Sequence, residues 1–273
     1  MSKKFLALLL SALCVFSLCA CDSGATTVAE EETKTVSASS DLETIKANGV
    51  LVVGITDFEP MDYKDADGNW VGFDADLAGK FAESLGVEVK FVEIDWDNKV
   101  MELQGGTVDC IWNGMTLTDE VTSSMSCSNA YCNNAQIVVV NKDVADQYQT
   151  VESLADLTFA VEAGSAGEEQ AKENNLNYTA VESQANALME VAAGTSDAAI
   201  IDSLMAAAMV GDGTSYENLT YTVGLNSEEY GVGFRQGSNL TGELNEFFKT
   251  TYADGTMLEI AEKYGVQAAV IAQ

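Results

Sequence analysis

Histidine is absent from this 273-residue chain, and arginine occurs only once, at Arg235. The missing imidazole removes the usual general base at neutral pH and the commonest ligand of zinc and other transition metals. A serine–histidine hydrolase and a metal-capturing receptor are therefore disfavoured, and no metal or cofactor is expected. Positive charge is scarce overall: 13 basic residues stand against 43 acidic ones, a formal charge of −30. So acidic a chain lacks the cations that neutralise phosphates, so nucleic acid is not an expected partner. Intimate contact with an anionic membrane surface is disfavoured for the same reason. Long apolar runs are also missing beyond the N-terminus, where no later segment approaches the ~20 residues of a membrane-spanning helix.

The N-terminus is different. Lys3 and Lys4 precede an almost unbroken apolar run, Phe5 to Ala20, and small residues with a cysteine follow as Leu18-Cys19-Ala20-Cys21. A charged start, a short apolar core and a small-residue cleavage site mark a secretory signal over residues 1–20. The tetrad ending at Cys21 resembles the bacterial lipobox, which implies lipidation of Cys21 and cleavage before it. An uncleaved anchor is the competing reading. Residues 22–40 hold Ser, Thr, Ala and Glu with no aromatic. Such a segment buries too little apolar surface to fold, so 21–40 read as a lipidated tether. Removing the signal and assigning Cys21 to lipid leaves Cys110, Cys127 and Cys132, an odd number. Cys110 lies in an apolar strand pattern; Cys127 and Cys132 are close enough in sequence to pair, but nothing demands it.

From Asp41 onward, short apolar runs alternate with amphipathic stretches. Strands are expected at 51–55, 87–92, 108–112, 136–140, 158–161 and 197–201. Phe73, Leu77, Phe81 and Leu85 recur at helical spacing, as do Trp96, Val100 and Leu103. Further helices are expected at 166–173 and 184–193, and two more near the C-terminus. This order argues for parallel-dominated sheets covered by helices. One internal similarity supports two lobes of like topology: Met101–Asp109 (MELQGGTVD) resembles Met189–Asp197 (MEVAAGTSD). Each is a helix end, a Gly-Thr turn and an Asp before an apolar strand, with Gly106 and Gly194 suited to a left-handed helix cap. Ligands of open α/β sheets sit beyond the carboxyl ends of strands, which points to Asn113, Gly114 and Asp202.

Six blocks carry a wider resemblance: Val53–Met61, Gly68–Leu77, Asp95–Asp97, Val108–Thr118, Val161–Ser165 and Ala253–Thr256. In order and spacing they resemble the polar amino-acid family of bacterial solute-binding proteins of ABC importers, from about residue 42 to 265. The resemblance implies a type 2 periplasmic-binding-protein fold: two α/β lobes joined by a two-crossing hinge, with the ligand cleft between. It assigns 41–135 plus 227–273 to the first lobe and 136–226 to the second, with crossings near 133–136 and 225–229. Together with the lipobox, which implies the lipid anchor, it also implies an extracytoplasmic monomer that closes on a small amine-bearing or amino-acid ligand and meets an ABC permease and ATPase.

Site residues follow position by position. Asp57 matches a position near the ligand amino group, and Phe58 and Trp96 match aromatic walls, with ordinary core packing as the competing role. Asn113, Gly114 and Thr116 match hydrogen-bonding positions. Gly164 and Ser165 match an anion-contacting turn at a helix start, where Ser165 also suits a plain cap. Asp202 matches the acid that pairs with the ligand ammonium, or caps the next helix. One departure stands out. The family's Thr-Pro-Glu-Arg run, whose arginine forks onto the ligand carboxylate, is here Thr118-Asp119-Glu120-Val121. Either Thr116, Ser165 and backbone N–H groups hold a carboxylate alone, or the ligand lacks a standard one; an amine-bearing ligand is expected either way. A second departure, Ala166-Gly167, removes further side-chain contacts, for which Asn133 and Asn134 are candidates to compensate. Glu162 is given a minor binding role. The alternatives are a dehydratase-like enzyme on the same fold and a sensing module acting with a separate signalling partner.

Overall fold

The apolar runs become the inner strands of two sheets in the computed structural model, which describes residues 40–273. The signal, Cys21 and the tether up to residue 39 lie outside the described residues. The first sheet contains β1 (Val50–Ile55), β4 (Glu88–Glu93), β5 (Cys110–Thr116), β6 (Ser126–Cys127), β7 (Cys132–Asn134) and β13 (Glu228–Phe234). Its order is β4-β1-β5-β13-β6, with β7 also on β13. β2 (Tyr63–Lys64) and β3 (Trp70–Val71) pair as a separate small hairpin, with Trp70 packed against the core of this layer. The second sheet contains β8 (Gln136–Asn141), β9 (Thr158–Glu162), β10 (Asn177–Val181), β11 (Ala198–Asp202) and β12 (Leu219–Gly224), in the order β10-β9-β11-β8-β12. The chain passes between the sheets twice, from β7 to β8 and from β12 to β13.

The sheets are mixed rather than parallel-dominated. β1 runs parallel to β4 and β5, and β9 parallel to β10 and β11. The strands next to the two passages reverse: β13 is antiparallel to β5, and β8 antiparallel to β11 and β12. A parallel pair needs a long crossover, whereas a strand arriving directly from the other sheet has no such constraint.

Helices cover both faces of each sheet. In the second, Val138, Val140, Phe159, Ala198 and Ile200 join one apolar cluster with Ala171 of α5 (Ala166–Glu173). The alternate residues Val139, Ala160, Ala199 and Ile201 share a cluster with Ala187, Leu188 and Val191 of α6 (Gln184–Ala193). This is strand period two with both faces buried. In the first sheet, Leu51, Val53 and Trp112 join Phe73, Leu77 and Phe81 of α2 (Phe73–Leu85), while Ile111 and Met115 join Leu103 of α3 (Lys99–Gly105). The last helices, α8 (Leu240–Asp254) and α9 (Thr256–Lys263), return to this first layer; Phe247 and Phe248 pack on Phe81 and Trp112 with ring centroids 5.4 and 5.6 Å apart. The short helices α1 (Asp41–Asn48), α4 (Asp119–Ser124) and α7 (Ser203–Met209) complete the chain.

The internal similarity has a structural counterpart. Gly106 and Gly194 both close their helices in the left-handed conformation, at φ 76° and 74°. The following aspartates then tie back to an earlier strand of their own sheet, β1 in the first and β9 in the second. Asp109 donates its N–H to Val52 and accepts Val52's N–H at its carboxylate, and Asp197 does the same with Thr158. Arg235 is structural: it pairs with Asp41 and Asp109 and donates to the Leu103 and Val108 carbonyls. The three cysteines of the described chain are free; Cys110 and Cys132 are buried.

Candidate ligand cleft

Strand ends and helix starts from both lobes converge on one slot. The first lobe contributes Thr56 and Phe58 after β1, Trp96 in the turn before α3 and Lys99 at its start, Asn113–Thr116 at the end of β5, and Val121 of α4. The second contributes Glu162, Gly164, Ser165, Glu169, Gln184 and Asp202. The slot is narrow. Its cavity volume is about 30 Å³, against ~10–15 Å³ needed for one water. The lobes also touch directly, because Lys99 Nζ reaches the Gly164 carbonyl at 2.8 Å. Outside the slot lies a wider groove rimmed by Asp119, Glu120, Glu169, Glu173, Glu228 and Glu229.

Asp202 is the most elaborately held group. It ends β11 and is buried. Its Oδ1 accepts from Gln136 Nε2 at 3.0 Å, from the Tyr230 hydroxyl at 2.8 Å and from Asn134 Nδ2. Gln184 grips it from both sides, donating to Oδ2 and accepting the Asp202 N–H at 2.8 Å. The side chain makes no cap to α7; Asn134 Oδ1 takes the Ser203 hydroxyl and the Leu204 N–H instead. Asn134 and Gln136 also donate to Glu228 on β13, at 2.7 and 2.8 Å, so two carboxylates share donors where the chain passes between lobes. Burial, reinforced by the nearby Glu228 charge, pushes the Asp202 carboxyl up to about 8. Glu162, ending β9, is pushed up to about 8 by burial and then by Asp202, and its Oε1 has no hydrogen-bond partner. Burial without a full set of charged partners favours the neutral acid.

The other expected residues fall in distinct places. Phe58 is buried edge-to-face against Tyr230, centroids 6.3 Å apart, and Trp96 is both a slot wall and part of the cluster with Leu103 and Met115. Asn113 lines the slot, but its amide is fully engaged: Oδ1 accepts the Thr56 N–H and hydroxyl, and Nδ2 donates to Thr56 O and Asp62. It has no donor to spare for a solute. Gly114 adopts φ +54°, and a Cβ there would lie 2.4 Å from Phe58, so only glycine fits. β5 therefore does not stop at Trp112 but runs through Asn113 and Gly114 to Thr116. The Thr116 hydroxyl donates to Glu228 at 2.9 Å. Ser165 caps α5 through the Glu168 N–H, and the Gly164 N–H meets the Glu168 carboxylate at 2.9 Å. That turn thus binds an anion from its own helix. Asp57 is exposed and lies off the slot, on a pocket with Tyr63, Lys64 and, from the second lobe, Ala185, Met205 and Met209. Val121 is buried in the slot wall, and no arginine replaces it.

Lys99 and Gln184 were not singled out from the sequence. The signal for Lys99 was present: it sits three residues after Trp96 and four before Leu103, on the buried face of that helical stretch. Gln184 follows the Ser183 cap and reads as an ordinary first-turn residue.

Two α/β lobes, two passages and a slot at the strand ends define a type 2 binding-protein fold. The chain belongs to the bacterial extracellular solute-binding proteins, family 3, whose profile it matches over residues 51–267. It is similar to the arginine-binding extracellular protein ArtP of Bacillus subtilis, 28% identical over 96% of this chain and 98% of that protein. It is also similar to the ABC transporter glutamine-binding protein GlnH of Bacillus subtilis, 30% identical over 97% of each. Among solved structures, it resembles a Streptococcus pneumoniae ABC uptake transporter substrate-binding protein with bound histidine. The TM-score is 0.76 and the identity 30%, over 85% of this chain and 99% of that one. These relatives are binding proteins for amino acids.

Proposed function

We propose that this chain is the extracytoplasmic, lipid-anchored receptor of an ABC importer and that it captures an amino acid or a related amine-bearing polar solute by closure of its lobes. In this reading residues 1–20 are removed, Cys21 carries the lipid and residues up to 40 form the tether. The first lobe is 41–135 with 227–273, the second is 136–226, and a permease and its ATPase receive the closed monomer. The observation that carries it is the buried Asp202 carboxylate, set beside Glu162 in a slot walled by Phe58 and Trp96. A cation entering there meets two acids and two aromatic faces in a poorly solvated space, where charge attraction and cation–π contact both strengthen. The acidic outer groove adds a field that draws cations inward. Phe58, Trp96, Gly114, Thr116, Gly164, Ser165 and Asp202 form the contact surface, with Asn113 holding the wall and Asp57 at an outer edge.

Titration calorimetry and thermal shift with amino acids, amines and amine-free anions test this. Amine-bearing solutes should raise the melting temperature, since a ligand that binds only the folded state stabilises it. Tight binding of an amine-free anion with none of the amines would sink the reading. Radiolabelled palmitate should mark the wild-type chain in cells and not Cys21→Ser.

A further inference from the structure

Among the described residues, Lys99 is the sole basic side chain lining the slot, in a wall otherwise rich in acids. It is 6% exposed. Its Nζ donates to the Gly164 carbonyl at 2.8 Å and the Trp96 carbonyl at 3.3 Å, and sits 5.0 Å from the Trp96 ring. Both hydrogen bonds go to neutral acceptors. An ammonium has three N–H donors, so one remains. Taking a lysine out of water without an anion in contact costs more than burying a neutral polar group, so its position calls for a reason. Burial depresses the Lys99 ammonium, and the acids around it, Glu120 and Glu162 foremost, pull the other way. Glu162 senses both Asp202 and Lys99. The slot lining thus holds Asp202 and Glu162 as buried acids and Lys99 as a buried base.

We propose that Lys99 anchors the carboxylate of the solute, in place of an arginine at position 121, and so restricts the solute to amino acids with a free carboxylate. The inference rests on the receptor reading above. The third N–H of Lys99 meets the carboxylate while Asp202 meets the ammonium, so the two groups select a zwitterion over a plain amine. Because the same ammonium holds the Gly164 carbonyl of the other lobe, carboxylate capture and lobe contact share one group.

The test uses the full chain in detergent and the protein amino acids, each paired with the amine left after loss of its carboxylate. A charge-assisted hydrogen bond contributes about 1.5–3 kcal/mol, so the wild type should bind at least one amino acid about tenfold to a hundredfold more tightly than its amine. Lys99→Met should erase that ratio while amine binding persists, and Lys99→Arg should restore it. A ratio unchanged in Lys99→Met, or a wild-type preference for amines, overturns the assignment and leaves the receptor reading standing. The wild-type comparison decides the matter even should the methionine variant not fold. Binding of none of these solutes by the wild type overturns both.

Discussion

Gly164 shows how much of the cleft depends on single atoms. Its φ is +69°, and a Cβ there would lie 2.8 Å from the Asp97 Cα in the other lobe. An alanine costs ~1–2 kcal/mol for the left-handed backbone wherever the lobes sit, but the clash exists only when they meet. Gly164→Ala should therefore shift the unliganded protein toward an open form, read as a larger scattering radius, and weaken solute binding. The buried acids make a separate prediction. Asp202 and Glu162 hold their protons up to about 8, against ordinary values of 3.8 and 4.5. The folded state then binds protons more tightly than the unfolded one, so their stabilising contribution is complete below the ordinary carboxylate range. It is lost as pH climbs through about 8. Urea midpoints of the solute-free protein should fall from pH 5 to pH 9, and Asp202→Asn should flatten the decline. At this scale the sequence was partly legible. Asp202, Phe58 and Gly114 stood at strand ends or turns, where position implies exposure to a cleft. Lys99 was legible only through its spacing from Trp96 and Leu103, because its charge by itself does not tell which way a helix faces. Asn113's engagement with Thr56 and Asp62 depends on contacts between segments far apart in the chain.

Elements were easier to read where local chemistry punctuates them. The α5 and α6 ranges follow directly from Ser165, Ser183 and Gly194, whose caps need only neighbouring residues. Ser165→Ala removes one such cap and should lower stability by about 1 kcal/mol, measured by urea unfolding; Ser165→Asp should recover most of it. The less legible elements were β10, β12 and β13. β10 is an edge strand with exposed positions, so its sequence lacks a clean alternation. β12 and β13 carry Gly224, Gly231 and Gly233 and register shifts, and they are strands because partners hold them. A Cβ on Gly233 would sit 2.3 Å from the Met125 sulfur and 2.8 Å from the end of Met115. That glycine answers to packing between elements rather than to local preference. The reversed direction of β8 and β13 likewise reflects where the chain changes lobe, which no window of residues reveals.

At the scale of the molecule, two sheets built on the same Asp-to-strand tie bring strand ends to one slot, and both passages between them run beside it. The repeat of Met101–Asp109 in Met189–Asp197 was enough to suggest paired lobes; the shared polar cluster at the passages was not foreseeable. There Asn134 and Gln136 donate to Asp202 and Glu228 together. Two adjacent carboxylates cannot easily both ionise, so near neutral pH the Asp202 side carries a hydron that an arriving ammonium makes redundant. Uptake of an amine-bearing solute should therefore acidify a weakly buffered solution. In a calorimeter the apparent heat of binding should depend on the ionisation enthalpy of the buffer, with a slope approaching a single released hydron near pH 7 and vanishing above the Asp202 range. A receptor facing an external medium of changing acidity would then load less readily as that medium turns acid.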